Sequence, residues 1–187
     1  LAGNLRGGLA VGVVFVGVLM GATTGIVGAT VVTLALLALP AMMSRGYDRG
    51  LACGVICASG TLGQIIPPSL ILILMADIMN LSVGTLFAAA VFPGLLLAGM
   101  FAAYVIILGM VRPDMAPPVP AEERALIDTR QLILRLLRVV LPPVGLIIAV
   151  LGSIIGGIAA PTEAAAMGAL GAVVVTALGR RFNATLL

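Results

Sequence analysis

Apolar residues run through this chain in long stretches, separated by short clusters of glycine, proline, threonine and arginine. The stretches are Leu9 to Met20, Val31 to Met43, Leu51 to Met79, Val83 to Val111, Leu141 to Ala160 and Ala164 to Leu178. Their lengths suit membrane helices rather than barrel strands. The longest central one is interrupted by Gly60-Thr61-Leu62-Gly63-Gln64-Ile65-Ile66-Pro67-Pro68-Ser69. Glycine is a poor interior helix residue. Each proline lacks a backbone donor and clashes with the preceding turn. The residue before a proline is also pushed out of the helical region, and Ile66 and Pro67 both stand there. The pattern predicts one helix from about Leu51 to Leu62, an unwound link, and a second helix from about Ser69 to Met79. In lipid, a break of this kind is tolerated only where protein or water satisfies the freed backbone. Secondary transporters build ion and substrate sites from such broken helices. A simple proline kink is the plainer alternative.

The first two stretches flank Gly21-Ala22-Thr23-Thr24-Gly25-Ile26-Val27-Gly28-Ala29-Thr30. One continuous helix from Leu9 to Met43 would have 35 residues, about 52 Å at 1.5 Å per residue. That overshoots a hydrocarbon core of about 30 Å. The favoured alternative is a re-entrant helical hairpin with Thr23 to Thr30 at its tip. Each leg is then shorter than a full span, and Arg6 and Arg45 lie on one side. Glycines permit the tight tip, and threonine hydroxyls can satisfy backbone or bind an ion.

Further along, Asp77 and Asn80 mark the far end of the broken helix, and Ser82 or Thr85 is the expected cap of the span Val83 to Val111. Arg112-Pro113-Asp114 closes that span, and Met115 to Pro120 reads as an extended connector. Ala121 to Arg138 interleaves arginines with leucines at helical spacing. It reads as an amphipathic helix in the membrane interface or as a solvated helix packed on another domain. Leu141 to Ala160 follows as a span with Pro142-Pro143 at its start. Pro161 and Glu163 then suit the start of a final helix. The chain thus divides into a hairpin (1–49), a broken helix with its following span (50–111), a connector with the amphipathic helix (112–140), and two further membrane helices (141–187). With the hairpin re-entrant, all ten arginines fall on one side, as cytoplasmic loops require. A through-spanning first helix would put Arg6 on the other face.

Composition sharpens this. The chain is 61% hydrophobic and only 9% charged, with a mean hydropathy of +1.28. A soluble domain carries roughly a quarter charged residues, so this is an all-α integral membrane protein. The net charge of +3 comes from arginines in the connections, so it reports topology and not nucleic-acid binding. Cys53 and Cys57 lie one turn apart; with no histidine and no second pair they read as buried, inert thiols rather than a metal site. Enzyme chemistry is poorly provided for. Asp77 and Glu163 sit at helix ends, and Ser69 and Thr24 lack a partner base. What remains is unwound backbone. Carbonyl and hydroxyl oxygens suit a hard cation such as Na⁺, and half-helix N-termini suit a carboxylate. Leu1 is not a start methionine and the first residues carry no signal-peptide pattern, so the chain is expected to be a fragment of a longer protein.

These stretches resemble the large membrane subunit of the TRAP transporters, the tripartite ATP-independent periplasmic family (DctM-like). Gly21 to Thr30 followed by Pro40-Ala41-Met42-Met43-Ser44-Arg45-Gly46-Tyr47 resembles the family's first hairpin and its exit; Gly60 to Ser69 resembles its broken helix. Pro93-Gly94 and Pro161-Thr162-Glu163-Ala164 match two further family stretches. The resemblance implies part of an elevator-type fold and a Na⁺-coupled importer of carboxylates such as C4-dicarboxylates, in a multi-pass bacterial inner-membrane setting. It implies a small permease subunit and a periplasmic substrate-binding protein as partners, Na⁺ as coupling ion and no other cofactor. Carried over, the Na⁺ ligands are Thr24, Gly25 and the backbone around Gly60, Gly63, Ile66 and Pro67. Thr23, Thr30, Pro68 and Ser69 are the expected substrate side. The family tip often reads Ser-Gly-Ser, whereas this one reads Thr24-Gly25-Ile26, so at position 26 only a carbonyl is on offer. No second hairpin or second broken helix follows Arg181. The alternative is another elevator-type anion/Na⁺ symporter of the same superfamily that works without a binding protein.

Overall fold

The computed structural model describes residues 7–117 and 129–178, and among these the regular structure is entirely helical. The elements are α1 (Gly8–Thr24), α2 (Val27–Ser44), α3 (Arg49–Leu62), α4 (Leu70–Ile78), α5 (Val83–Val111), α6 (Thr129–Ile155) and α7 (Pro161–Leu178). Among the described residues, three stretches are long and apolar enough to cross a membrane: Val27–Ser44, Val83–Val111 and Leu136–Ile155.

The two leading stretches form two helices, as the length argument requires. Gly25 stops α1 with φ +64, and Ile26 is extended before α2 begins. The turn is shorter than expected. Thr23 and Thr24 belong to the last turn of α1, and Thr30 to the first turn of α2. Threonine tolerates these places by returning its hydroxyl to a carbonyl one turn back, as Thr23, Thr24 and Thr33 do toward Met20 and Ala29. At 17 and 18 residues, the legs are about 25 and 27 Å long. They run antiparallel. Gly7 N–H donates to Ala116 O (3.2 Å) and Asp48 N–H to Met115 O (3.1 Å), so the start of α1, the α2–α3 link and the exit of α5 meet at one end. Arg45, Arg49 and Arg112 all lie at that end; Arg6, Arg124, Arg180 and Arg181 lie outside the described residues.

Between α2 and α3, Gly46 takes φ +74 and lets Tyr47 turn inward to 5% exposure. Asp48 caps α3 by accepting from Leu51 N–H. α3 then threads between the hairpin legs and ends at Leu62. The link through Pro67-Pro68, whose peptide bond is cis, separates it from α4, so the chain is broken and not merely kinked. The apolar core of this part is Ala10, Val13, Val14, Leu34, Val55 and Ile56 with their neighbours, closed on one side by Val105 of α5.

A second, smaller core joins the first half of α5 to α6 and α7 through Phe87, Ile154 and Ala164. Here the structure departs from the sequence reading. α6 runs unbroken through Pro142 and Pro143, so the boundary expected between 140 and 141 falls inside one helix. The described part of the amphipathic segment, 129–138, is the first portion of that helix; 121–128 lie outside the described residues. Two prolines deprive the carbonyls of Arg138 and Val139 of their intrahelical donors. These carbonyls lie toward the arginine-bearing end, where water can replace the lost bonds. The span also ends earlier than expected, at Ile155, and α7 begins at Pro161 with Glu163 accepting from Ala160 N–H at 2.9 Å. Ser82 stands at the start of α5 without a side-chain cap bond.

Candidate functional site

The hairpin tip lies directly beside the break in α3–α4, and glycine makes this possible. A Cβ at Gly17 would stand 2.5 Å from that of Ser59, and one at Gly21 would strike the backbone of Gly63. On the other leg, a Cβ at Gly60 would meet the backbone of Val31, 3.1–3.2 Å away. No other residue allows backbones to touch in this way. The side chain of Leu70, at the start of α4, lies 3.9 Å from a Cβ built at Gly25. From α5, Gly94 is buried against Ile66 and the Ile65 carbonyl. Five separate pieces of chain thus converge, with Pro67 fully buried among them.

Polar groups gather at the same place. Thr24 Oγ1 and Thr30 Oγ1 are 2.7 Å apart across the turn. Thr24 Oγ1 also reaches Met20 O at 2.9 Å, and Thr30 Oγ1 reaches Ile26 O at 3.0 Å. Two hydroxyls have two protons, so only two of these three contacts are hydrogen bonds at once. The pair is therefore rich in lone pairs and short of protons. Thr30 is fully buried, while Thr24 is exposed at the tip. The Ile26 carbonyl is engaged by both the N–H and the hydroxyl of Thr30. Position 30 stands one turn above position 26, so Thr30 brings to the tip a hydroxyl that Ile26 lacks.

The break supplies more acceptors. The last turn of α3 tightens, with Gln64, Ile65 and Ile66 N–H groups returning to Thr61 and Leu62 carbonyls. Among the described residues, no hydrogen bond reaches the carbonyls of 63–68. Ser69 is 2% exposed at the N-terminus of α4, and its Oγ has no partner and makes no cap bond. No three His, Cys, Asp or Glu side chains gather among the described residues. A cation here would meet neutral hydroxyl and carbonyl oxygens, a donor set that fits a hard monovalent ion.

Of the sequence-predicted residues, Gly63 packs on Gly21, Gly60 on Val31, and Gly25 faces Leu70, while Thr24 bonds within the tip to Met20 and Thr30; Ile66 and Pro67 lie on the break itself. Thr30 joins Thr24 rather than standing apart from it. Thr23 does not join: its hydroxyl is exposed and returns to Met20 O. Pro68 is half-buried, and no hydrogen bond links Ser69 to either threonine. Gly17, Gly21, Ser59 and Gly94 were missed, because their role is a contact between distant segments. Cys53 and Cys57, expected to be buried, are exposed. The face of α3 that packs carries Ala52, Val55, Ile56 and Ser59 instead.

Comparison with known proteins identifies the family. The profile of the family described as "Tripartite ATP-independent periplasmic transporter, DctM component" matches residues 1–185. The C4-dicarboxylate TRAP transporter large permease protein DctM of Pseudomonas aeruginosa is 36% identical over 90% of this chain and 38% of its own length. The ectoine TRAP transporter large permease protein TeaC of Halomonas elongata is 37% identical over 92% and 39%. The isethionate TRAP transporter permease protein DctMQ of Oleidesulfovibrio alaskensis is 30% identical over 94% and 26%. The chain therefore spans well under half the length of the curated relatives it matches. No solved structure matches. With a profile match across almost every residue, the chain belongs to the DctM component family of tripartite ATP-independent periplasmic transporters.

Proposed function

We propose that this chain forms the ion-binding half of a Na⁺-coupled permease that imports small organic acids across the bacterial inner membrane. A periplasmic binding protein delivers the substrate, and a small permease subunit works alongside. Two observations support the reading: the Thr24–Thr30 hydroxyl pair at the hairpin tip, and carbonyls of 63–68 that accept no hydrogen bond among the described residues, in a break whose Gly63 packs on Gly21 of the hairpin. In a membrane, backbone carbonyls freed by a break need a partner, and a monovalent cation supplies one. Thr24 and Thr30 hold the ion together with carbonyls of the break. Thr30, first assigned to the substrate side, serves the ion instead, and Ser69 at the N-terminus of α4 is left to face the carboxylate. The relatives handle C4-dicarboxylates, ectoine and isethionate. All are small and carry an acidic group, and a half-helix N-terminus suits that shared feature.

In this reading the hairpin is re-entrant, though its second leg, α2, is by itself long and apolar enough to cross. Its tight glycine contacts make hairpin and break one rigid unit, which moves with its ion rather than opening around it. The test is uptake into proteoliposomes by the full-length permease with its small subunit and binding protein. An inward Na⁺ gradient should drive uptake, and K⁺ in its place should not. Uptake that is equally fast without Na⁺ refutes the ion reading.

A further inference from the structure

One face of α5 touches the chain on both sides of the break. Phe87, Gly94 and Val105 are buried residues of that helix. They stand whole turns apart, and so on one side, with Phe87 and Gly94 about 10 Å apart along the axis. Gly94 meets the chain before the two prolines. A Cβ built on it would stand 2.9 Å from Ile66 Cγ1 and 3.5 Å from the Ile65 carbonyl oxygen. Phe87 meets the chain after them. It is fully buried, and its core takes in Leu72 and Ile73 of α4. Val105 lies at the other end of α5, against Gly7.

The contact at Gly94 leaves little room to give. Ile66 is β-branched, so its side chain has few rotamers to retreat into. Its backbone is held as well. Its N–H donates to the Leu62 carbonyl at 3.2 Å, and the next residue is the fully buried Pro67. A push on Ile66 therefore moves the carbonyls of 65 and 66. Among the described residues these accept no hydrogen bond, so their aim is set by packing. On the far side of the break, α4 has 9 residues, and only Ala76 among them is buried. Leu70, Ile71, Leu74 and Met75 are exposed. Among the described residues, α5 is the main helix on which α4 packs.

We infer that α5 is a splint across the break: Gly94 and Phe87 are positioning residues that hold the freed carbonyls and the start of α4 in one geometry, and so set the affinity of the ion site. The inference rests on the ion reading above. Both residues act through others, Gly94 through Ile66 and Phe87 through α4. A site of this kind needs its ligands held within about 0.5 Å, and an added methyl at Gly94 would displace Ile66 on that scale.

The experiment follows the melting temperature of the intact purified permease against Na⁺, with K⁺ keeping ionic strength constant. Gly94→Ala should raise the Na⁺ needed for half of the melting shift about tenfold, the lower end of what lost outer support costs a metal site. Phe87→Leu should raise it too. Val105→Ala, on the same face of α5 but far from the break, should lower the baseline melting temperature and leave the Na⁺ dependence unmoved. That control separates positioning from loss of stability. Ile66→Ala removes Cγ1 and makes room for the methyl, so combining it with Gly94→Ala should bring the Na⁺ requirement back toward wild type. A wild type indifferent to Na⁺ overturns the ion reading and the splint with it. A wild type that responds, with Gly94→Ala and Phe87→Leu keeping its Na⁺ dependence, overturns the splint alone. So does a Val105→Ala variant that shifts as far as Gly94→Ala, or a double variant with no recovery. Where Gly94→Ala does not accumulate, Phe87→Leu against Val105→Ala decides.

Discussion

The hairpin and α3 meet backbone to backbone, whereas α6 and α7 meet through side chains. In the first region, a methyl group at Gly21 or Gly63 would land on main chain that has nowhere to go. In the second, a Cβ at Gly171 would meet only the end of Leu146, and one at Gly168 only a methyl of Val150. Thr30, Ser59 and Ser69 are buried in or beside the first region, while the buried hydroxyl of Tyr47 lies at the opposite end, in the α2–α3 link. The difference teaches where this chain needs exact placement. The ion site proposed above needs oxygens fixed in space, and backbone contact fixes them better than flexible side chains do. A helix pair with no such task can pack loosely.

The comparison breaks most directly under identical substitutions. Gly21→Ala and Gly63→Ala should each destabilise the intact permease by about 3 kcal/mol, the upper range for forcing atoms into a packed interior. Gly171→Ala should cost less than about 1 kcal/mol, since Leu146 can change rotamer. Gly145→Ala, where a Cβ meets nothing within 4 Å, should be neutral or slightly stabilising. Thermal melting in detergent ranks the set. If Gly171→Ala is as harmful as Gly21→Ala, the two regions are not different in kind.

The next effect sharpens the ion half. Thr24→Val and Thr30→Val should each weaken Na⁺ binding by about 1–3 kcal/mol, or roughly 5- to 150-fold. Together they should cost less than the sum, because the hydroxyls share one contact of 2.7 Å. Thr24→Ser keeps the oxygen and should be nearly silent. Additive losses in the double variant mean that the threonines act separately.

Ser69→Ala separates stability from transport. It removes a buried hydroxyl that has no partner, so the permease should melt unchanged or be more stable by about 1 kcal/mol. Substrate affinity should fall. A variant that transports normally removes Ser69 from the substrate site. The smallest effect belongs to the other region. Glu163→Ala deletes the acceptor for Ala160 N–H and should cost about 0.5–1 kcal/mol of stability, with the Na⁺ dependence unmoved. A change in Na⁺ dependence would tie α7 to the ion site.

Much of this fold is legible in the sequence, where proline and glycine act as punctuation. The end of α3 at Leu62 before Gly63 and the end of α5 at Val111 before Arg112-Pro113 follow from them directly, whereas α5 runs through Pro93 and its start after Ser82 follows from the polar residues there. The length of the hairpin tip does not follow. Threonines look like turn residues, yet Thr23 and Thr24 finish α1 by bonding back to Met20. Pro142-Pro143 looks like Pro67-Pro68 in sequence but sits inside a continuous helix. The two differ in surroundings: the break has Gly60 and Gly63 before it and a hairpin to lean on, while α6 has neither. Of the candidate site, Thr24 and Gly63 were named through the family resemblance, and the Gly21–Gly63 contact joins segments far apart, so no local signal marks it. The exposure of Cys53 and Cys57 was hidden for the same reason, because which face of α3 is covered depends on where the hairpin docks.

The central claim is that the Thr24–Thr30 pair and the break hold one Na⁺ ion. The most direct measurement is the melting temperature of the purified permease as a function of Na⁺, with K⁺ keeping ionic strength constant. Ligand that binds only the folded state stabilises it by RT ln(1 + [L]/Kd), about 2.7 kcal/mol at one hundred times Kd. The wild-type permease should rise in melting temperature with Na⁺ and not with K⁺. Thr24→Val should start from a similar baseline and need roughly 5- to 150-fold more Na⁺ for the same rise. A Thr24→Val curve that overlays the wild type, or a wild type that responds equally to K⁺, contradicts the account.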